Sequence, residues 1–187
     1  MEQVLSLRLD RVKDKTQLVD VQVLRILVTS AMKIEDTDSQ KLIPKLNALL
    51  DSIHAKMASP GVFLESARFY EFQGFLRKAI EFRLKAYRLL LHAPQLLNEP
   101  QLFEYLGSTT LEVVDSYVDL GSQMEKDRMG DDDTQLSIVC KDWQYQARTC
   151  LKTVVGRTRS TYEGTEMHEK LQKRLEEVVQ MGIDHSR

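Results

Sequence analysis

The chain has 187 residues, a formal charge of -2 and 42% hydrophobic residues, enough for one domain with a substantial core. So even a charge balance gives no global reason to expect nucleic acid or an anionic membrane as partner, and it leaves proteins as the expected partners. Only 8 Gly and 4 Pro, with plentiful Leu, Glu, Lys, Gln and Arg, favour helix over strand, so the expected fold is all α.

Taken in order, Met1 to Arg11 carries Val4, Leu5, Leu7 and Leu9 ahead of a charged link, with Glu2, Arg8 and Asp10 where a signal peptide would need an apolar block. It looks like the tail of an earlier helix, expected to pack on material outside this chain. From Leu18 to Lys33, the spacing of Leu24, Leu27, Val28 and Ala31 predicts a helix. Leu42, Leu46, Leu49, Leu50 and Ile53 predict a second, running to about Met57, with Pro44 expected in its first turn, where a missing N–H is tolerated.

Ala58-Ser59-Pro60-Gly61 then breaks the chain before two helices expected near Val62 to Gln73 and Phe75 to His92. Pro94, Asn98 and Pro100 bracket a connector. A long periodic segment follows through Phe103, Leu106, Val113, Tyr117, Leu120 and Met124. Gly107 and Gly121 interrupt it, either as mild destabilisers or as sites of close helix contact. From Thr134 to about Val155 runs the most amphipathic stripe, with Trp143 at its centre and expected in the core; Gly156 to Gly164 is expected to end it. Met167, Leu171, Leu175 and Val178 mark a last helix dense in charge. No stretch approaches 18 uninterrupted apolar residues, so the expected location is cytoplasmic or nuclear.

The sites that chemistry would need are weak or missing. The sequence has no Gly-rich dinucleotide fingerprint, phosphate loop or Gly-x-Ser-x-Gly, and His168-Glu169 lacks the second His of a metalloprotease helix. The four histidines, His54, His92, His168 and His185, fall among polar helix ends, where exposure is expected. Asp131-Asp132-Asp133 lacks the alternating ligands of a calcium loop and suits the N-terminus of the next helix. Cys140 and Cys150 lie ten residues apart on one expected helix, about 15 Å along its axis and beyond disulfide reach. Both are expected to be reduced packing residues. No catalytic residue, metal site or cofactor is expected.

Two basic faces remain. Arg77, Lys78, Lys85 and Arg88 share one side of the second hairpin helix, and Arg148, Lys152, Arg157 and Arg159 recur downstream. Each reads either as a solvated helix face or as a surface for an acidic peptide or RNA. RNA is the alternative function, weakened by the lack of an alternating aromatic platform. Arg83 stands apart, since its angular neighbours are Ala79, Ile80, Ala86, Tyr87 and Leu90. It must either snorkel to solvent or pair across an interface.

Residues Phe63 to Pro94 resemble one tetratricopeptide repeat: Phe63 at the usual Trp position, Ala67 at the small packing position, Tyr70 one turn on, Gly74 at the turn, and Ala79 and Ala86 on the second helix. One such hairpin cannot bury its own apolar faces and must stack on neighbours. Leu7-Arg8-Leu9-Asp10, the run Asp20-Val21-Gln22-Val23-Leu24-Arg25-Ile26-Leu27-Val28, Phe69-Tyr70 and Lys85-Ala86-Tyr87 further resemble the C-terminal part of the tetratricopeptide repeat protein twenty-seven family and its fungal relatives.

That resemblance implies a fragment of a longer, non-enzymatic scaffold tied to chaperone-assisted protein or ribonucleoprotein assembly, with upstream repeats and assembly machinery as partners. The Lys and Asn of a chaperone-tail clamp are replaced here by Leu64 and Arg68, so that clamp is not expected. The architecture implied is a short right-handed α-solenoid over 1–187. Residues 1–61 would form degenerate repeat helices, 62–94 the hairpin, and 100–187 a C-terminal capping helix bundle.

Overall fold

A computed structural model describes residues 21–33, 37–54, 59–127 and 133–184. Met1 to Arg11, Asp131-Asp132 and His185 lie outside the described residues. Those described form helices and no strand, as the composition predicts: α1 Val21–Met32, α2 Thr37–His54, α3 Pro60–Phe72, α4 Leu76–Leu91, α5 Pro100–Asp127, α6 Asp133–Tyr162 and α7 Glu166–Asp184. The chain divides into two compact units, residues 1–82 and 83–187, and the division falls inside α4.

In the first unit, α1 packs on α2 and α3, and α2 on α3. The core takes Leu24, Leu27, Val28 and Ala31 from α1, Leu46, Leu49, Leu50 and Ile53 from α2, and Val62 and Phe69 from α3. These include every residue that the three-and-four spacing selects on α1 and, on α2, all but Leu42, whose side chain lies outside the described residues. Pro44 is a correction: α2 starts at Thr37, so the proline sits in the helix interior rather than in the first turn. It is exposed there, where water can satisfy the carbonyl that a missing N–H leaves unpaired.

The break expected over Ala58-Ser59-Pro60-Gly61 falls ahead of α3, which starts at Pro60 rather than near Val62. Ser59 is an extended N-cap whose hydroxyl accepts from the Val62 N–H, and Pro60 takes the first helical position, which suits its fixed φ. Gly74 closes α3 with φ +80: the Gly74 N–H donates to the Glu71 carbonyl and the Phe75 N–H to Tyr70, each at 2.9 Å. This is a left-handed C-cap that satisfies two orphan carbonyls. Aromatic rings fill the space between α3 and the start of α4, with Phe82 stacked on Tyr70 at 5.3 Å between centroids and tilted against Phe63 at 6.0 Å.

In the second unit, α5, α6 and α7 pack on one another. Tyr87, Leu90 and Leu91 from α4, Phe103, Leu106, Val113 and Val114 from α5, Ala147, Leu151 and Val154 from α6, and Leu171 and Val178 from α7 share one core. Phe103 stacks on Tyr162 at 4.2 Å, and the Tyr162 hydroxyl donates to the Leu96 carbonyl, which fixes the connector ahead of α5.

Here α6 departs from expectation, running through Gly156 to Tyr162 rather than ending near Val155. Leu151, Val154, Thr158 and Tyr162 continue the buried stripe at helical spacing, so packing overrides the local glycine penalty. Trp143 is buried as expected. Gly107 and Gly121 prove to be close contacts: a methyl at Gly121 would overlap the Trp143 indole, and one at Gly107 would overlap the Met167 side chain.

Candidate protein-interaction surfaces

The repeat positions sit where the hairpin needs them. Phe63, Ala67, Tyr70, Ala79 and Ala86 are buried, and Gly74 makes the turn. Two aromatic side chains beside that turn, Phe72 and Phe75, instead stand in solvent, Phe75 at 57% exposure. Nothing in the repeat pattern marks them.

The four basic residues of α4 do not form one site. Arg77 and Lys78 belong to the first unit, where the Lys78 ammonium lies 4.0 Å from the Tyr70 ring centroid. Such a cation–π contact stabilises by about 0.5–1 kcal/mol when exposed. Lys85 and Arg88 belong to the second unit, and both are exposed.

Arg83 does not snorkel. It is 6% exposed, its Nη1 donates to the Ser116 hydroxyl at 2.8 Å, and its Nε lies 3.8 Å from a Glu112 carboxylate oxygen. The reason is position: Ala86, Tyr87 and Leu90 around it enter the core, so the guanidinium meets polar groups of α5 before it could reach water. Sequence spacing marks Arg83 as an anomaly, but its partners lie about thirty residues on and leave no local signal.

Arg88 keeps different company. Its charge, with that of Arg157 from α6, reaches the Tyr87 phenol, whose hydroxyl donates to the Cys150 carbonyl at 3.2 Å. Burial pushes the Tyr87 phenol well above its ordinary range, against the two guanidinium groups. Burial also pushes Tyr117 up to about 12 and the Cys150 thiol up to about 11, again opposed by Arg88. The Arg88 charge thus acts against the rise at groups of α4, α5 and α6.

Elsewhere on α6, Lys152 and Arg159 are exposed and Arg148 half-buried, and Arg159 is neutralised by Glu163 at 3.1 Å. Cys150 is a free, buried cysteine as expected, while the Cys140 side chain lies outside the described residues.

Two buried ionisable residues escape the sequence reading. Glu65 is almost wholly buried on α3 and accepts from the Arg25 Nε at 2.7 Å, with Arg68 at 3.5 Å. Its place on the Val62–Phe69 stripe, three residues after one and four before the other, was the available signal. His168 corrects the expectation of exposed histidines. It is fully buried, and neither ring nitrogen has a hydrogen-bond partner among the described residues.

Local capping explains the inward turn of His168. Gly164, at φ +83, lets the chain reverse after α6, and the Thr165 hydroxyl then accepts from the His168 N–H at 3.4 Å. That register puts His168 one turn before Leu171 on the packed face. His92 is exposed. Among the described residues, no three His, Cys, Asp or Glu side chains converge to hold a metal ion, and no helix is long and apolar enough to cross a membrane.

Comparison with known proteins agrees with the helical architecture. The chain is 30% identical over 159 residues to a TPR repeat-containing protein of Schizosaccharomyces pombe, a match covering 84% of this chain and 18% of that protein. It is 29% identical over 85 residues to a Saccharomyces cerevisiae protein named as essential for maintenance of the cell wall, covering 46% of this chain and 9% of that protein. The chain thus spans less than a fifth of either relative. No family model and no solved structure matches it.

Proposed function

We propose that this chain is a non-enzymatic, protein-binding part of a tetratricopeptide-type scaffold. The observation that carries the reading is the similarity to a TPR repeat-containing protein over most of the chain, together with the hairpin geometry at Phe63, Tyr70 and Gly74. Repeats of this kind stack into extended surfaces that recruit other proteins, and their chemistry is packing and charge rather than bond making. Within that reading, α5 to α7 act as a terminal cap. Their long buried stripes close a core, while the charged side of α7, with Lys170 on Glu166 at 2.7 Å, suits a water-facing end.

The finer role is assembly: a scaffold working with chaperone machinery on protein or ribonucleoprotein complexes, in the cytoplasm or the nucleus. Affinity purification of the full-length protein, with partners quantified against the bait, tests it. Co-purification of chaperone and assembly components near one-to-one supports the role. Recovery of the bait alone, or a substrate turned over by the purified protein, rejects it.

A further inference from the structure

Residues 143–162 of α6 carry Arg148, Lys152, Arg157 and Arg159 and no Asp or Glu. Elsewhere in the second unit cations meet carboxylates, Lys170 at Glu166 and Arg174 at Asp115 and Glu177. On α6 the Arg159 charge meets Glu163 at the helix end, while Arg148 and Lys152 make no ion pair among the described residues.

A helix turns by about 100° per residue, which fixes how these side chains are grouped. Tyr145, Arg148, Thr149, Lys152, Gly156 and Arg159 fall within an arc of about 100°, and Arg157 lies outside it. The arc is opposite Ala147, Leu151 and Val154, which enter the core. Along it, Tyr145, Thr149, Lys152, Gly156 and Arg159 recur at steps of four, three, four and three, the spacing of a seam that a second helix can follow.

This seam is open to solvent. Tyr145 is 65% exposed, Thr149, Lys152, Gly156 and Arg159 are exposed, and Arg148 is half-buried. The Thr149 hydroxyl donates to the Tyr145 carbonyl at 2.7 Å, so covering it strands no polar group. Nothing lies within 4 Å of a methyl added at Gly156, which leaves a hole between Lys152 and Arg159.

We infer that the outer seam of α6, from Tyr145 to Arg159, docks an acidic amphipathic helix of a partner protein. The inference rests on the scaffold reading and narrows it to one surface and one ligand chemistry. Carboxylates of the docked helix pair with Arg148 and Lys152, one apolar side chain lies on the Tyr145 ring, and another enters the hole at Gly156. Charge complementarity selects an acidic partner, and the alternating steps of four and three select a helix over an extended strand. The seam is about 21 Å long, the rise of about fourteen helical residues. With one exposed aromatic residue and no row of them, it is poorly suited to single-stranded nucleic acid.

The test is fluorescence anisotropy with the whole chain and four labelled probes. They are an end-capped peptide of about 20 residues, long enough to be helical, with Glu and Leu on one face and Ala and Gln elsewhere; the same peptide broken by two central prolines; its Lys-for-Glu counterpart; and an oligouridylate RNA. The intact Glu helix should bind in a salt-sensitive way, and the broken and Lys peptides about tenfold more weakly or not at all. Arg148→Glu with Lys152→Glu should weaken binding about tenfold or more, as loss of close charge pairs does. Gly156→Gln fills the hole and should weaken binding while leaving the chain at least as heat-stable, a split that damage to the fold does not produce. The charge-matched variant Arg157→Glu with Lys173→Glu, off the seam, should leave binding within about threefold through screening.

If the Glu variant of the seam melts early, Arg148→Gln with Lys152→Gln carries the same comparison. Equal loss in the seam and off-seam variants, equal binding of the broken peptide, no binding of the Glu helix, or tighter binding of the RNA through Arg148 and Lys152 overturns the inference. The scaffold reading fails separately. Partners captured undiminished by full-length protein carrying Arg148→Glu with Lys152→Glu keep the scaffold and reject the seam, whereas absence of any stoichiometric partner rejects the scaffold.

Discussion

Gly121 and Gly156 both interrupt long helices, and they should answer to alanine in opposite directions. In a helix interior alanine is favoured over glycine by about 0.5–1 kcal/mol through backbone entropy. At Gly156 nothing lies within 4 Å of an added methyl, so Gly156→Ala should raise stability by about that amount. At Gly121 the same methyl would sit 2.7 Å from the Trp143 Cδ1 and overlap the rest of the pyrrole edge. Overpacking of this kind costs about 1–3 kcal/mol.

The net effect of Gly121→Ala is therefore a loss of about 0–2.5 kcal/mol, the propensity gain offsetting part of the clash. Urea denaturation followed by far-ultraviolet circular dichroism measures both variants. The decisive step is a double-mutant cycle: with Trp143→Leu in place the ring is gone, and Gly121→Ala should turn neutral or stabilising. The coupling should then be about 1–3 kcal/mol, well above the scatter of about 0.3–0.5 kcal/mol for independent sites. A stabilising Gly121→Ala in the parent chain, or coupling within that scatter, would refute the packing of α5 on α6 through this contact.

Other outcomes follow from single features. Trp143→Ala should cost about 3–5 kcal/mol, read by the same urea titration, because the ring is core. Arg83→Ala should cost about 2 kcal/mol through lost stem packing and a broken bond to Ser116, whereas Arg83→Met should cost under about 1 kcal/mol, since an apolar isostere can replace a buried polar pair. Gly74→Ala should lose about 1 kcal/mol from left-handed strain alone, as open space surrounds the position.

Above pH 9 the second unit should lose stability as pH rises. The unfolded thiol ionises near 9 while Cys150 in the fold holds its proton to about 11, so between those values the unfolded state binds fewer protons. Tyr117 and Tyr87 act in the same sense above pH 10. A fall of about 1–2 kcal/mol from Cys150 by pH 10.5 is expected, and Cys150→Ala should flatten it.

Much of the fold was legible because one-dimensional spacing encodes which side of a helix is buried. Leu24, Leu27 and Val28, or Leu171 and Val178, declare themselves. Gly74 was legible because only a C-cap turn needs it. The misreadings came where a local rule competed with packing. Gly156 and Pro44 are helix breakers in isolation, yet α6 runs through Gly156 because Leu151 and Val154 before it and Thr158 and Tyr162 after it stay in phase, and α2 carries Pro44 on an exposed side. Arg83 and Glu65 were beyond local rules, since their partners come from other helices.

The candidate surface was half legible. Both basic stretches could be counted in the sequence, but the division of the first could not: Arg77 and Lys78 fall in one unit, Lys85 and Arg88 in the other.

The placement of the unit division inside α4 has a practical consequence for anyone dissecting the protein. Loops are the usual places to cut, and Pro94 to Pro100 is the obvious one. A fragment beginning at Pro100 would nevertheless discard Tyr87, Leu90, Leu91 and Leu96, all buried in the core of the second unit, and would strip the Tyr162 hydroxyl of its acceptor. Such a piece would expose a sticky apolar trough and aggregate. One that starts at Gly74 keeps all of α4 and with it the second core, but bares Phe82, which loses its stacking on Tyr70, so trimming experiments must respect the helix rather than the loop and replace Phe82 by a polar residue.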